Sequence, residues 1–157
     1  MEEIKQTWTY TKMSVAELDE ADVALREAAL EAAHKAYAPY SHFQVGAALR
    51  LSNGQIITGN NQENIAYPSG LCAERTALFY AGAHYPQEAI CSLAIIAFAQ
   101  GKIQPQIAPC GACRQVMVES EQRSGQPMRI LLCGEESVYV IHSAQFLLPF
   151  TFTFRRS

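Results

Sequence analysis

Nowhere does the chain approach the roughly 20 consecutive apolar residues that a helix needs to cross a bilayer. Its opening, Met1-Glu2-Glu3-Ile4-Lys5-Gln6, has neither the basic start nor the apolar run of a secretion signal. No membrane partner is expected, and a cytoplasmic location is the default expectation. Basic charge is scarce as well: 12 Lys and Arg stand against 15 Asp and Glu, a formal net charge of −3. No face rich enough in cations to neutralise a run of phosphates is expected, so a polynucleotide partner is not expected either. A disulfide framework is missing too. The five cysteines are an odd count, and three of them fall in two short motifs without scattered spacing, which fits reduced thiols available to a metal. The sequence has no internal repeat, low-complexity segment or linker. Its 157 residues, 49% of them hydrophobic, suffice for one core and one domain over 1–157.

What is present alternates between helix and strand signals. Ser14 and Glu17 have the spacing of a capping box, and Leu18, Leu25, Ala29, Ala32 and Ala36 recur on one face, predicting a helix over 14–36. A strand over 43–51 is followed by Asn53-Gly54 and then Ile56-Ile57, the signature of an antiparallel hairpin. Further helices are expected over 71–82 and 110–125, and further strands over 92–99, 128–133 and 137–142, with a helical turn or two over 143–148. This order predicts an α/β fold around a central mixed sheet.

Two short segments carry chemistry: Cys72-Ala73-Glu74-Arg75 and Pro109-Cys110-Gly111-Ala112-Cys113. A CxxC pair alone serves redox enzymes as readily as zinc. With a third cysteine the balance shifts, because three thiolates fill three positions of a tetrahedral zinc and leave the fourth for water, as in catalytic sites. Cys91 and Cys133 border apolar runs and read as small hydrophobes, while His34, His42, His84 and His142 lack a partner at ligand spacing. Each motif also begins a predicted helix, whose N-terminal amides favour a thiolate. Glu74, two residues past Cys72, is placed to handle protons at the open position; taken alone, it reads more readily as a first-turn dipole partner.

Taken together these residues resemble the cytidine deaminase family, specifically its small homotetrameric three-cysteine branch, whose x-E and P-C-x-x-C signature they carry. The similarity extends to Tyr40-Ser41-His42-Phe43-Gln44-Val45-Gly46-Ala47-Ala48, to Asn61-Gln62-Glu63-Asn64, to Gly70 through Ala77, to Pro109 through Gln115, and to Leu147-Leu148-Pro149 with Phe152. It covers roughly residues 14–152. Departures are the N-terminal dozen residues, the ending Thr153-Phe154-Arg155-Arg156-Ser157, and Pro68.

The resemblance implies a three-layer α/β/α fold with a five-stranded mixed sheet and hydrolytic deamination of cytidine and deoxycytidine. It implies one zinc per chain on Cys72, Cys110 and Cys113, with Glu74 as proton carrier and Arg75 donating to the sulfurs. Asn61 and Glu63 would bind the sugar hydroxyl, Phe43 would flank the base or sugar, and the Ala73 amide would meet the pyrimidine O2. Phe152 would reach a neighbour's site within a homotetramer. Read without the resemblance, Asn61 to Asn64 is a polar turn, Phe43 a core residue and Arg75 a solvated charge. Rival readings are a deaminase of larger cytosine nucleoside antibiotics, a polynucleotide deaminase, a zinc-stabilised interaction module and a dithiol redox protein.

Overall fold

In the computed structural model, which describes residues 1–153, helices cover both faces of one mixed sheet. The element order is β1 (Thr11–Ser14), α1 (Glu20–His34), β2 (Gln44–Leu51), β3 (Ile56–Asn60), α2 (Ala73–His84), β4 (Ile90–Ala99), β5 (Lys102–Ile103), α3 (Gly111–Ser124), β6 (Arg129–Cys133) and β7 (Ser137–Ile141). The strands run in the order β1-β7-β6-β4-β2-β3, with β5 paired to the end of β4. Among the described strands only β4 and β6 pair in parallel, joined by the crossover that contains α3. The predicted hairpin is the antiparallel β2–β3 pair, with Gly54 in its turn at φ 84°.

Alternation along the central strands separates two cores. Leu93 and Ile95 of β4, with Ala47, Leu49 and Leu51 of β2, pack beneath α2, α3 and the single turn Ala144–Leu147. Ala94 and Ile96 pack with Ala48, Leu131, Val138 and Val140 beneath Leu25, Ala29 and Ala33 of α1. Each fully buried Leu or Ile contributes about 1.5–3 kcal/mol of transfer free energy. The helices α1 and α2 approach closely because a glycine lies under each. A Cβ on Gly46 would stand 1.8 Å from the Ala29 carbonyl oxygen of α1, and one on Gly59 would stand 2.6 Å from Ala73 O and Ala77 N of α2. Gly59 therefore lets the first turn of α2, with its chemistry, sit directly on β3.

Two expectations need correction. Among the described residues the sheet has seven strands, not five. The additions are β5, two residues long, and β1, which pairs antiparallel with β7 although Thr11-Lys12-Met13-Ser14 shows almost no apolar alternation. An edge strand needs only backbone partners, so side-chain pattern does not betray it. Second, the predicted helix over 14–36 begins at Glu20 and ends at His34. The Ser14–Glu17 bonds do form, at 2.7 Å, but they close one 3-10 turn, after which Leu18 is extended and Asp19 restarts the helix by accepting the Asp22 amide at 2.7 Å. Of the C-terminal departure only Thr153 falls within the described residues. Pro68 is accommodated in the 3-10 turn Tyr67–Ser69.

Candidate active site

Cys72 is the N-cap of α2 and Cys110 the N-cap of α3, both with extended backbone and neither making a side-chain cap hydrogen bond. An oxygen of Ser, Thr, Asp or Asn ordinarily sits there to accept first-turn amides. With sulfur in its place, the positive ends of two helices converge on thiols. Cys113, one turn into α3 and fully buried, completes the group. The Sγ atoms of Cys72 and Cys110 are 3.8 Å apart, those of Cys110 and Cys113 3.4 Å, and all three lie within 4.8 Å of one another. Sulfurs bound to one tetrahedral zinc at about 2.3 Å stand about 3.8 Å apart, so the trio is already spaced for one ion.

The cluster has three members among the described residues. Cys133 is buried away from it, its thiol pushed up to about 12 by burial and directed to the Leu131 carbonyl. A three-sulfur set with an open fourth position is the donor set of a catalytic zinc. Its electrostatics agree. The Cys72 thiol is lowered to about 5, first by the Cys113 thiol that donates to it and then by Arg75 and Cys110. Cys113 is correspondingly raised. Arg75, half-buried, brings Nη2 to 3.5 Å from Cys72 Sγ, and that bond raises its own pKa.

Glu74 is 4% exposed on the first turn of α2. Burial, and secondarily the Cys72 charge, pushes its carboxyl above the usual range, while the neighbouring Cys113 thiol and Arg75 pull the other way. A buried carboxyl beside a metal cluster, with its pKa moved toward neutrality, is suited to take up and release protons.

A cavity of about 490 Å³ opens beside this cluster, lined by Tyr40, Ser41, Asn61 to Asn64, Tyr67, Gly70, Leu71, Cys72 and Arg75. Two loops form its wall. Gln62 pairs with Leu71 through two backbone bonds of 2.9 Å, while the Tyr37 amide donates to Asn61 O and the Glu63 amide to Tyr37 O.

The sequence-predicted sugar residues line this wall with their polar groups largely engaged. Asn61 Nδ2 donates to Phe43 O at 2.9 Å and its Oδ1 accepts from the Val45 amide at 2.8 Å. Glu63 Oε2 accepts from the amides of Tyr40 at 2.9 Å and Ser41 at 3.2 Å, and Ser41 Oγ donates to Oε1. Phe43 is half-buried and Ala73 buried, neither among the lining residues; Cys72 leaves the first-turn amides of α2 without a side-chain cap. Phe152 is 82% exposed away from the cavity, its carbonyl accepting from Gln115 Nε2 at 2.9 Å. Sequence reasoning assigned no role to Ser41, Tyr40 or Tyr67, although the first two lie in a segment it singled out.

A profile described as the cytidine and deoxycytidylate deaminase zinc-binding region matches residues 19–125. A cytidine deaminase of Halalkalibacterium halodurans is 46% identical over 91 residues, 58% of this chain and 65% of its own length. The chain thus spans just under two thirds of that relative. A cytidine deaminase of Mycobacterium tuberculosis is 40% identical over 114 residues, covering 71% of this chain and 82% of its own. Among solved structures, a cytidine deaminase from Burkholderia pseudomallei superposes with a TM-score of 0.70 at 45% identity, over 83% of this chain and 98% of that one.

Proposed function

Because the chain belongs to the cytidine and deoxycytidylate deaminase zinc-binding family, we propose that it hydrolyses cytidine and deoxycytidine to uridine and deoxyuridine, releasing ammonia. The observation that carries this reading is the convergence of three cysteine sulfurs and buried Glu74 at two helix N-termini, beside a cavity of nucleoside size. One zinc per chain, held by Cys72, Cys110 and Cys113, supplies Lewis acidity and an activated water when bound. Arg75 donates to Cys72 and offsets the negative charge of the sulfurs.

Glu74 moves the protons. It accepts one from the attacking water and gives one to ring N3, which makes C4 electrophilic. It then takes the proton of the new C4 hydroxyl and passes it to the amino nitrogen, so that C4–N breaks, ammonia leaves and C4 becomes the carbonyl of the product. The Ala73 amide, at the positive end of α2, binds O2 of the pyrimidine, and Phe43 flanks the ring. Glu63, with Asn61 fixing the strand beside it, accepts from the sugar 3′-hydroxyl; a carboxylate oxygen has more than one acceptor site, so Oε1 serves both Ser41 and a ligand.

The unit is one domain working in a reducing, cytoplasmic setting, a reading supported by the five free thiols. It assembles as a homotetramer in which Phe152 completes a neighbour's cavity. Exposure of Phe150 at 105% and Phe152 at 82% favours a covering partner, and solution sizing that finds an active monomer would reject it.

The decisive experiment measures ammonia release from cytidine, deoxycytidine, free cytosine and blasticidin S, together with zinc content. Turnover of the two nucleosides, little of cytosine, and one zinc per chain are expected. Cys110→Ala loses both zinc and activity. Full zinc occupancy in that variant would overturn the ligand assignment, and preference for the antibiotic would overturn the substrate.

A further inference from the structure

Ser41 ties two of the proposed substrate-binding residues to each other. Its Oγ donates to Glu63 Oε1 and accepts from the Phe43 amide at 3.1 Å, while its own amide donates to Glu63 Oε2 at 3.2 Å. Between Ser41 and Phe43 stands His42 at φ 55°, a left-handed conformation that a residue with a Cβ adopts at a cost. Among the described residues the backbone-to-backbone bond at this turn is His42 N to Ala38 O, at 3.0 Å. The crossing is otherwise held by side chains: Ser41 and Glu63 on one side, and Asn61 on the other through Phe43 O and the Val45 amide.

From this geometry we infer that Ser41 is a positioning residue: its hydroxyl sets the rotamer of the Glu63 carboxylate and the start of β2 at Phe43, and so determines how the cavity reads the sugar. The inference rests on the substrate reading above. A free glutamate side chain at a half-exposed loop samples several rotamers, and each must be given up when a ligand binds. Ser41 removes that cost by occupying one lone pair of Oε1 and leaving the other oriented. Its effect should therefore fall on ground-state binding, with the Glu74 proton steps, which involve no contact with Ser41, little changed. Threonine preserves the hydroxyl, and alanine deletes it without adding bulk to the turn.

The test compares wild type, Ser41→Ala, Ser41→Thr, Glu63→Gln and the Ser41→Ala/Glu63→Gln double variant as zinc-loaded protein. In Ser41→Ala, KM for cytidine should rise roughly 5- to 20-fold, the range of a lost bond to a charged acceptor discounted for exposure, with kcat within a factor of about two. Ser41→Thr should restore KM. Discrimination between cytidine and 3′-deoxycytidine should shrink in Ser41→Ala, and calorimetric binding of the product uridine should weaken in parallel. In the double variant the KM effects should be strongly less than multiplicative, because Ser41 acts through Glu63.

An unchanged KM and sugar discrimination in Ser41→Ala, multiplicative effects in the double variant, or equal loss of kcat and melting temperature without rescue by threonine would each overturn the inference. Wild-type protein that fails to deaminate cytidine would instead reject the substrate reading itself. Zinc content measured with a chromogenic chelator should match wild type throughout; its loss in Ser41→Ala would make the residue a support of the metal site and overturn the proposed role.

Discussion

Glu74 and Glu121 both lie on helices packed against the same face of the sheet, and both are almost fully buried, at 4% and 5% exposed. Their surroundings differ in kind. Glu121 accepts from the Met128 amide at 2.8 Å, the Ala144 amide at 2.8 Å and Ser143 Oγ at 2.6 Å. Those donors belong to the segment leading into β6 and to the turn after β7, so this carboxylate fastens two loops to α3. Among the described residues Glu74 has no comparable set of donors from several distant segments; beside it stand the Cys113 thiol, Arg75 and its own amide. Burial of a carboxylate is thus no sign of catalysis by itself. A buried carboxylate whose acceptor sites are filled is structural, and one left facing a metal cluster retains capacity for a proton.

The largest effect that can sharpen this contrast is expected from Glu74→Gln. Turnover should fall by roughly 10²–10⁴ or more, the range of a lost general acid–base, with zinc retained. Melting temperature should hold or rise, since the variant no longer buries a group that desolvation disfavours. A near-normal rate would reduce Glu74 to a dipole partner of α2.

Glu121→Ala should do the reverse. Leaving three donors without their acceptor costs about 3 kcal/mol, a fall in melting temperature of roughly 6–12 °C, while kcat per folded molecule stays near wild type. Denaturation and single-concentration turnover on the same preparation check both halves. A large drop in kcat with unchanged stability would collapse the distinction between the two glutamates.

The smallest effect concerns Glu63, an exposed carboxylate whose pKa is lowered by the Ser41 hydroxyl and, after desolvation, by the Tyr40 and Ser41 amides. Because the folded value lies below the unfolded one, the stability it contributes is fully present above the ordinary carboxylate range and disappears as pH falls through the lowered folded value. The small melting-temperature advantage of wild type over Glu63→Gln should therefore persist near neutrality and vanish at strongly acid pH. An advantage that instead grows on acidification would contradict the bonding seen around Ser41.

Much of the site was legible because its chemistry is local in sequence. Cys72 and Glu74 lie within one helical turn, as do Cys110 and Cys113, and their spacing reports a helix N-terminus as directly as it reports a ligand pair. Sequence pattern served equally well for β2 and β3, joined by Asn53-Gly54, and for the apolar run of β4, whose two faces are both buried. It failed at β1, whose pairing with β7 rests on backbone groups that every sequence carries. At Ser14 it was the local signal that misled: the capping box is real, but it caps a single turn because Leu18 leaves the helical region before Asp19 begins the helix proper.

By itself the sequence determined the family and the α/β class, and it singled out the three thiols and the glutamate that we propose as zinc ligands and proton carrier, since each depends on residues a few positions apart. Only the tertiary structure decided the rest. It brought Cys72 within 3.8 Å of Cys110 across 38 residues, through Gly59 beneath α2 and the crossover that delivers α3. It also decided which buried glutamate is satisfied, and that Glu63 is held by Ser41 from the facing loop. The physical reason is the same in each case: whether a polar group is free depends on the donors that distant segments bring to it, and no local pattern records them.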